Sequence, residues 1–126
     1  MQDYFPTVYP KMFDGKYGGI AVGKGWFNIL NMMCRNIQSH IDWKPEVPQV
    51  KVLQVKEKFG TLRFYYEGGD EYIHGLTSMA EAMSEVTCED CGVPGTLRQD
   101  GWMHVTCDPC EDSRQERRLL REGFEQ

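Results

Sequence analysis

The sequence lacks the features that mark several classes of protein. No apolar run approaches the roughly 20 residues that cross a bilayer, so we expect no membrane partner. The first residues, MQDYFPTVYPKMFDG, lack a basic start followed by an apolar core, which predicts a chain kept in the reducing cytoplasm. There is no internal repeat and no low-complexity tract. The 126 residues suit one domain with a small appended module.

Positive charge is also scarce, since 14 basic residues face 19 acidic ones and the net charge is -5. Residues 1–87 carry nine basic and ten acidic groups, whereas residues 88–126 carry five basic and nine acidic groups. The acidity therefore lies mainly in the last third of the chain. This balance argues against a broad electrostatic grip on DNA or RNA, although it leaves a local basic patch open.

Linear motifs of catalysis are missing. The glycine pairs in YGGI and EGGD lack the spacing and the lysine of a phosphate-binding loop. Cys34 falls on the apolar stripe of a predicted helix, which favours a buried core thiol over a nucleophile. His40, His74 and His104 are scattered, without a convincing acid or nucleophile near them in sequence, and they are expected at the surface; His104, in the ribbon hairpin, is also a candidate spare metal ligand. We therefore predict a protein that is not an enzyme and has no small-molecule substrate.

The most specific pattern is CEDCGVPGTLRQDGWMHVTCDPC, residues 88–110. It contains two Cys-x-x-Cys pairs, Cys88 with Cys91 and Cys107 with Cys110, and Asp-Gly between them is typical of a two-residue hairpin turn. Zinc prefers four soft ligands in a tetrahedron, and this spacing favours one zinc ion over a redox pair or an iron–sulfur cluster. Because four cysteines leave no open position for water, we predict a structural Zn²⁺ rather than a catalytic one.

Hydrophobic periodicity predicts the remaining elements. A helix is expected over 25–43 and a second over 71–86, each with apolar residues three and four positions apart. Two runs, 50–59 and 61–67, alternate as a β-hairpin around Gly60. The expected buried faces are Leu53, Val55 and Phe59 on the first strand, Leu62, Phe64 and Tyr66 on the second, and Ile73, Leu76, Met79, Ala80 and Met83 on the second helix.

These elements predict an α+β fold in which a helix, a β-hairpin and a second helix form the core. Residues 1–23 are expected to be an extended arm that packs its aromatic side chains on the body. Residues 24–86 form the predicted core. Residues 87–126 form the predicted zinc ribbon with a C-terminal helix, which Asp108 can cap and Pro109 can begin.

Two groups of residues are candidates for binding a partner. Arg114, Arg117, Arg118 and Arg121 share one face of the last helix, where they form either a solvated face or a grip on phosphates or an acidic protein. Arg63 and Tyr65 should point away from the core on the second strand, and arginine with aromatics is typical of interface hot spots. Aromatic side chains on a sheet also stack single-stranded bases.

Three stretches resemble a group of small uncharacterised zinc-ribbon proteins of phage, prophage and bacterial genomes. They are GWFNILNMMC (25–34), QVKEKFGTLRFYYEGGDE (54–71) and TCEDCGVPGTLRQDGWMHVTCDPC (87–110). Members of that group often carry Cys-x-x-His where this chain has Cys107 and Cys110, an exchange that is natural for a zinc ligand. The resemblance implies a zinc ribbon and a phage-type origin but no reaction, since the group has no established activity.

The function expected from these observations is an interaction protein in the cytoplasm of a bacterial host. It would bind a host or phage protein, and inhibition of a host defence enzyme is one role that such binding would serve. The alternative is a nucleic-acid-binding regulator that uses the zinc ribbon and the arginine-striped helix.

Overall fold

The computed structural model describes residues 1–15, 17–99 and 101–125 of the chain, and it confirms the predicted α+β class. A three-stranded sheet in the order β1-β2-β3 packs with two long helices, and a separate two-stranded ribbon precedes the last helix. The helices are α1 (Tyr4–Val8), α2 (Phe27–Trp43), α3 (Glu71–Ser84) and α4 (Asp108–Glu125). The strands are β1 (Ile20–Ala21), β2 (Lys51–Lys58), β3 (Thr61–Glu67), β4 (Thr96–Arg98) and β5 (His104–Thr106).

Helix α2 is the centre of the core, as its periodicity predicts. A 3₁₀ turn, Lys24–Trp26, leads into it, and its buried residues follow the expected spacing. The helix ends at Trp43, two residues before Pro45, because a proline disfavours helical geometry in the residue that precedes it. The buried side chains on α2 are Ile29, Leu30, Met33, Cys34, Ile37 and Ile41.

Strands β2 and β3 form the predicted hairpin, and Phe59 and Gly60 make its turn, both with positive φ (53° and 84°). That geometry matches the tight turn whose twist suits antiparallel strands. The predicted face of β3 is confirmed. The predicted face of β2 is correct at Val55 but wrong at Leu53, where the ladder shifts between Val52 and Gln54, and at Phe59, which lies in the turn. Val52 and Val55 are buried, while Leu53 and Phe59 are exposed.

Helix α3 is capped by Asp70, whose side chain accepts a hydrogen bond from the Ile73 N–H at 3.1 Å, the usual role of an N-cap. Its predicted stripe is correct at Ile73 and Ala80 but wrong at Met79 and Met83, which are 62% and 47% exposed. Two small polar residues, Thr77 and Ser84, take the buried positions instead.

Thr77 and Ser84 are tolerated in the core because their hydroxyls have partners. The Thr77 hydroxyl donates to the His74 carbonyl at 2.9 Å, and the Ser84 hydroxyl donates to the Glu81 carbonyl at 2.6 Å. Ser84 Oγ also accepts from the Leu62 N–H of β3 at 2.9 Å. Satisfied hydroxyls cost little when buried, so the small residues let α3 approach the sheet closely and turn its methionines outward.

The N-terminal segment is folded into the core, which corrects the expectation of an extended arm. Phe5 on α1 is fully buried, and its ring lies 5.6 Å from those of Phe13 and Phe27. Strand β1 adds a parallel edge to the sheet, with Ile20 paired to Val55. The helical turn of α1 directs the Phe5 side chain into the core and keeps the local backbone hydrogen-bonded, which an extended arm would not do.

The ribbon segment is hydrogen-bonded to the start of α2. The Gly25 N–H donates to the Glu89 carbonyl at 2.7 Å, and the buried Trp26 indole N–H donates to the Thr87 carbonyl at 2.9 Å. A Cβ at Gly25 would lie 2.2 Å from the Cys88 carbonyl oxygen, so only glycine allows this approach. None of the helices in the described part of the chain combines the length and apolar character that a bilayer span requires.

We expect Gly25→Ala to lower the free energy of unfolding by about 3 kcal/mol, because backbone atoms at 2.2 Å cannot yield without moving the segment that carries Cys88. Gly75→Ala is the matched control: Gly75 lies in α3 with no atom within 4 Å of the added Cβ. Alanine there should stabilise the helix by about 0.5–1 kcal/mol. Urea unfolding measures both, and equal effects would contradict the close contact.

Candidate metal centre and the groove beside it

Four cysteine side chains converge at the base of the ribbon. The Sγ atoms of Cys88, Cys91, Cys107 and Cys110 all lie within 4.8 Å of one another. The Sγ atoms of Cys91 and Cys107 are 3.7 Å apart. Zinc–sulfur bonds of about 2.3 Å in a tetrahedron place the sulfurs about 3.8 Å apart, so the four thiols fit one tetrahedral ion. These four residues form a candidate metal site.

Backbone hydrogen bonds shape both Cys-x-x-Cys turns. In the first, the Gly92 N–H donates to the Cys88 carbonyl at 2.9 Å, and the Cys88 N–H donates to the Val93 carbonyl at 2.7 Å. The second turn enters α4 directly, since the Glu111 N–H donates to the Cys107 carbonyl at 2.9 Å. Cys110 therefore lies in the first turn of the helix, and the site joins the ribbon to α4.

The environment of Cys88 favours a thiolate. Burial raises the pKa of this thiol, but hydrogen bonds from backbone N–H groups, that of Cys107 first, lower the pKa to about 7. A thiolate is the form that ligates a metal. Cys34 differs: it is fully buried in α2, and burial alone raises the pKa of its thiol far above the usual range. The structure confirms Cys34 as a core residue, apart from the four clustered thiols.

Arg114 connects α4 to the first turn. Its guanidinium donates two hydrogen bonds to the Asp90 carboxylate, at 2.7 and 2.6 Å, and lies 3.8 Å from Glu89. These bonds from Arg114 hold the pKa of Asp90 below its usual value. The sequence grouped Arg114 with the arginines available to a partner, but the structure shows it paired inside the protein.

The ribbon hairpin is fixed to α4 by a second polar cluster. The Glu111 carboxylate lies 2.6 Å from His104 Nε2 and accepts from the Thr106 hydroxyl at 2.8 Å. The Arg98 guanidinium donates to the Asp108 carboxylate and to the Thr106 carbonyl, each at 2.9 Å. His104 therefore holds α4 through Glu111 and does not belong to the thiol cluster, so it is not a spare ligand.

A groove of about 640 Å³ opens between the ribbon hairpin and α4. Three predicted partner residues of the helix, Arg117, Arg118 and Arg121, line its helical side, together with Arg114. Trp102 lines the opposite side and is 76% exposed. β4 ends at Arg98 and β5 begins at His104, and the predicted Asp-Gly turn includes Asp100, which lies outside the described residues.

Sequence reasoning did not single out Trp102 or Arg98 as parts of this groove. Their positions depend on how the ribbon hairpin packs against α4, and the spacing of residues along the sequence does not predict that packing. The other predicted pair lies elsewhere: Arg63 and Tyr65 are on β3, on the face opposite Leu62 and Phe64, and neither lines the groove. Tyr65 is 40% exposed, and the Nε of Arg63 is buried without a hydrogen-bond partner among the described residues.

We expect one metal ion per chain, held by the four thiolates. Cys88→Ser or Cys110→Ser should abolish stoichiometric binding and unfold residues 87–126, because a structural ion contributes on the order of 10 kcal/mol of apparent folding free energy. Cys34→Ala is the control, since Cys34 is buried elsewhere and should keep the metal. Elemental analysis and hydrogen exchange report the two effects. A Cys88→Ser protein that loses metal but keeps its exchange protection would contradict a structural role.

Arg114→Ala should lower the free energy of unfolding by about 1 kcal/mol and loosen α4, because it leaves the partly buried Asp90 carboxylate without its two-bond partner. Arg118→Ala should have little effect, since the nearest carboxylate to Arg118, on Glu122, is 3.9 Å away on an exposed face. Thermal unfolding and hydrogen exchange along α4 compare the two variants. Similar losses in both would contradict the structural assignment of Arg114.

Comparisons with known proteins give no relative from which a function for the candidate site can be inferred. No family model, no curated protein and no solved structure matches the chain. The resemblance to the phage and prophage group therefore stays a prediction from the three motifs. The thiol spacing, the Arg114–Asp90 pair and the arginine-lined groove are the observations on which a function can be argued.

Proposed function

We propose that the protein is a non-enzymatic interaction protein of phage type, built on a structural zinc ribbon, that binds a host or phage protein. The observation that carries this proposal is the groove between the ribbon hairpin and α4, where Trp102 stands exposed opposite Arg117, Arg118 and Arg121. Tryptophan and arginine are the residues most enriched at the energetic centres of protein interfaces. A groove that presents both is suited to an acidic protein surface.

Zinc is the ion that best suits the four thiols. Thiolate ligands select soft or borderline ions, and a closed tetrahedron of four cysteines is typical of structural zinc. With every coordination position taken by sulfur, the ion would have no place for an activated water. Its role would be to hold the two Cys-x-x-Cys turns together, which supports a binding function over catalysis.

A protein partner is favoured over nucleic acid by the charges around the groove. Two of its arginines are already paired, Arg98 with Asp108 and Arg114 with Asp90. Glu111 and Asp90 also line it, and the whole chain has a net charge of -5. A phosphate backbone would require several uncommitted cations, whereas a protein interface tolerates mixed charge.

Single-stranded nucleic acid is the second candidate, and Trp102 is the observation that favours it. Exposed aromatic rings stack on bases without regard to sequence, and neighbouring arginines neutralise phosphates. With Arg117, Arg118 and Arg121 as the contacts, the logarithm of the affinity should fall with the logarithm of salt with a slope of about -2. An acidic protein partner would bind in the presence of nuclease.

The phage-type origin and the bacterial cytoplasm follow from the resemblance of residues 25–34, 54–71 and 87–110. A small acidic protein that binds a host enzyme through one groove is suited to inhibit it, and we propose a host defence enzyme as the target. That role is part of the proposal, and the identity of the captured partner decides it.

The test is affinity capture from bacterial lysate, with and without nuclease, using the zinc-loaded protein. We expect a defined host or phage protein to be retained in both conditions. Retention should fall at least about tenfold for the double variant R117E/R118E and for Trp102→Ala, because both remove groove contacts. The double variant K11E/K44E, an equal charge reversal at two exposed residues outside the groove, should leave retention unchanged.

Two results would overturn the preferred function. If nuclease treatment removed all retained material, the partner would be nucleic acid and not a protein. Equal retention by wild type and R117E/R118E would remove the groove as the binding surface. Metal content measured on each variant separates a lost contact from a lost fold.

A further inference from the structure

The three-stranded sheet has a basic outer face, although the whole chain is acidic. Val55, Leu62 and Phe64 are buried in the core, so the residues that alternate with them lie on the opposite face of the sheet. Three cross-strand pairs form this outer sheet face: Gln54 with Tyr65, Lys56 with Arg63, and Lys58 with Thr61. Tyr65 and Lys58 are exposed, and the other four side chains are half-buried.

The cations of the outer sheet face have no counter-ion in the described part of the chain. No carboxylate there lies within 4.0 Å of Lys56, Lys58 or Arg63, and the Nε of Arg63 has no hydrogen-bond partner. Lys56 and Arg63 are directly opposite each other in the ladder, where like charges destabilise a strand pair. An anion bound beside both residues would remove this repulsion.

The carboxylates nearest in the fold are bonded elsewhere. Glu57 pairs with a residue of the buried face, and its side chain accepts a backbone hydrogen bond within the hairpin turn at 2.8 Å. Glu81 of α3 accepts a hydrogen bond from the Phe64 N–H at the edge of the sheet. Glu67 is opposite Lys51, at the end of the hairpin away from the turn. The positive charge near the turn is therefore available to a ligand.

Two exposed aromatic side chains flank the cations. Tyr65 is 40% exposed and lies one cross-strand row beyond Arg63, which is about 7 Å along the strand. At the other end, Phe59 is 63% exposed in the hairpin turn, and the Nζ of Lys58 lies 5.7 Å from the centre of its ring. The rows that carry Lys56, Arg63 and Lys58 therefore lie between two aromatic rings.

Single-stranded nucleic acid is the ligand that uses both the cations and the rings. Its phosphates neutralise lysine and arginine, and its unstacked bases offer flat faces to aromatic side chains. A duplex keeps its base faces inside the stack, so it would leave Tyr65 and Phe59 unused. An acidic peptide would satisfy the cations alone. A second copy of the same face would set cations against cations.

We propose that the outer sheet face binds a short segment of single-stranded nucleic acid. Its phosphates would contact Lys56, Lys58 and Arg63, and its bases would stack on Tyr65 and Phe59. The described lining of the ribbon groove includes none of these five residues. The two surfaces are separate, so this inference does not depend on the partner proposed for the groove.

Fluorescence anisotropy of a labelled single-stranded DNA of mixed sequence tests the phosphate contacts, with the zinc-loaded protein titrated at several salt concentrations. Three contacts predict that the logarithm of the affinity falls with the logarithm of salt with a slope of about -2. The double variant K56Q/K58Q leaves one contact, so its slope should be about -0.7. The control K11Q/K44Q removes the same charge from two exposed lysines outside the outer sheet face and should keep the wild-type slope.

Substitutions of Tyr65 test the stacking contact separately. Tyr65→Ala should weaken binding at least about fivefold and leave the salt slope unchanged, because it removes a ring and no charge. Tyr65→Phe keeps the ring and should keep the affinity. Trp43→Ala removes an aromatic side chain that is 83% exposed at the end of α2, and it should have no effect. Wild type should also bind the single strand more tightly than a duplex of the same length.

Three results would overturn the proposal. The first is equal affinity for single strand and duplex that Tyr65→Ala does not change. The second is displacement of the strand by polyglutamate as effectively as by unlabelled strand, because the ligand would then be any acidic chain. The third is binding lost in R117E/R118E but unchanged in K56Q/K58Q, which would move the nucleic acid to the ribbon groove. Metal content is measured on each variant, and Lys58→Gln alone, at an exposed position, repeats the salt series if the double variant loses metal.

Discussion

The convergence of four thiols is the constraint on which the last third of the molecule depends. The ribbon has only two strands of three residues each, and few of its side chains are buried. So small a hairpin cannot bury enough apolar surface to be stable by itself. A metal ion held by both Cys-x-x-Cys turns would replace the missing core, and it would also position α4, because Cys110 lies in the first helical turn.

The thiol cluster is also anchored to the main domain, through the segment before α2. The Gly23 N–H donates to the Glu89 carboxylate, and the Gly25 N–H donates to the Glu89 carbonyl. The Trp26 indole N–H donates to the Thr87 carbonyl, while the ring is buried in the core. The Glu89 side chain is itself mostly buried, and burial raises the pKa of its carboxyl group. The thiol cluster, the ribbon and the core are thus joined through two neighbouring backbone segments.

Periodicity and spacing predicted the parts of the structure that are determined locally. The buried stripe of α2, the hairpin around Gly60 and the convergence of the four cysteines follow from residues close together in the sequence. The errors come from longer-range packing. The ladder shift near Val52 exposed Leu53, and satisfied hydroxyls on Thr77 and Ser84 took the core positions expected for Met79 and Met83. Arg114 joined Asp90 and Trp102 came to face the arginine stripe, because the ribbon and α4 meet in three dimensions.

The position of Cys110 in the first turn of α4 fixes the rotational phase of the whole helix. Each residue of an α-helix turns the following side chains by about 100°. One residue inserted between Cys110 and Arg114 would leave the metal ligands in place. It would swing Arg114 away from Asp90 and carry every later arginine out of the groove. The spacing of four positions from Cys110 to Arg114 therefore sets the direction of every later arginine, and it matters more to the binding surface than the identities of Asp112 and Ser113, the two exposed residues between them.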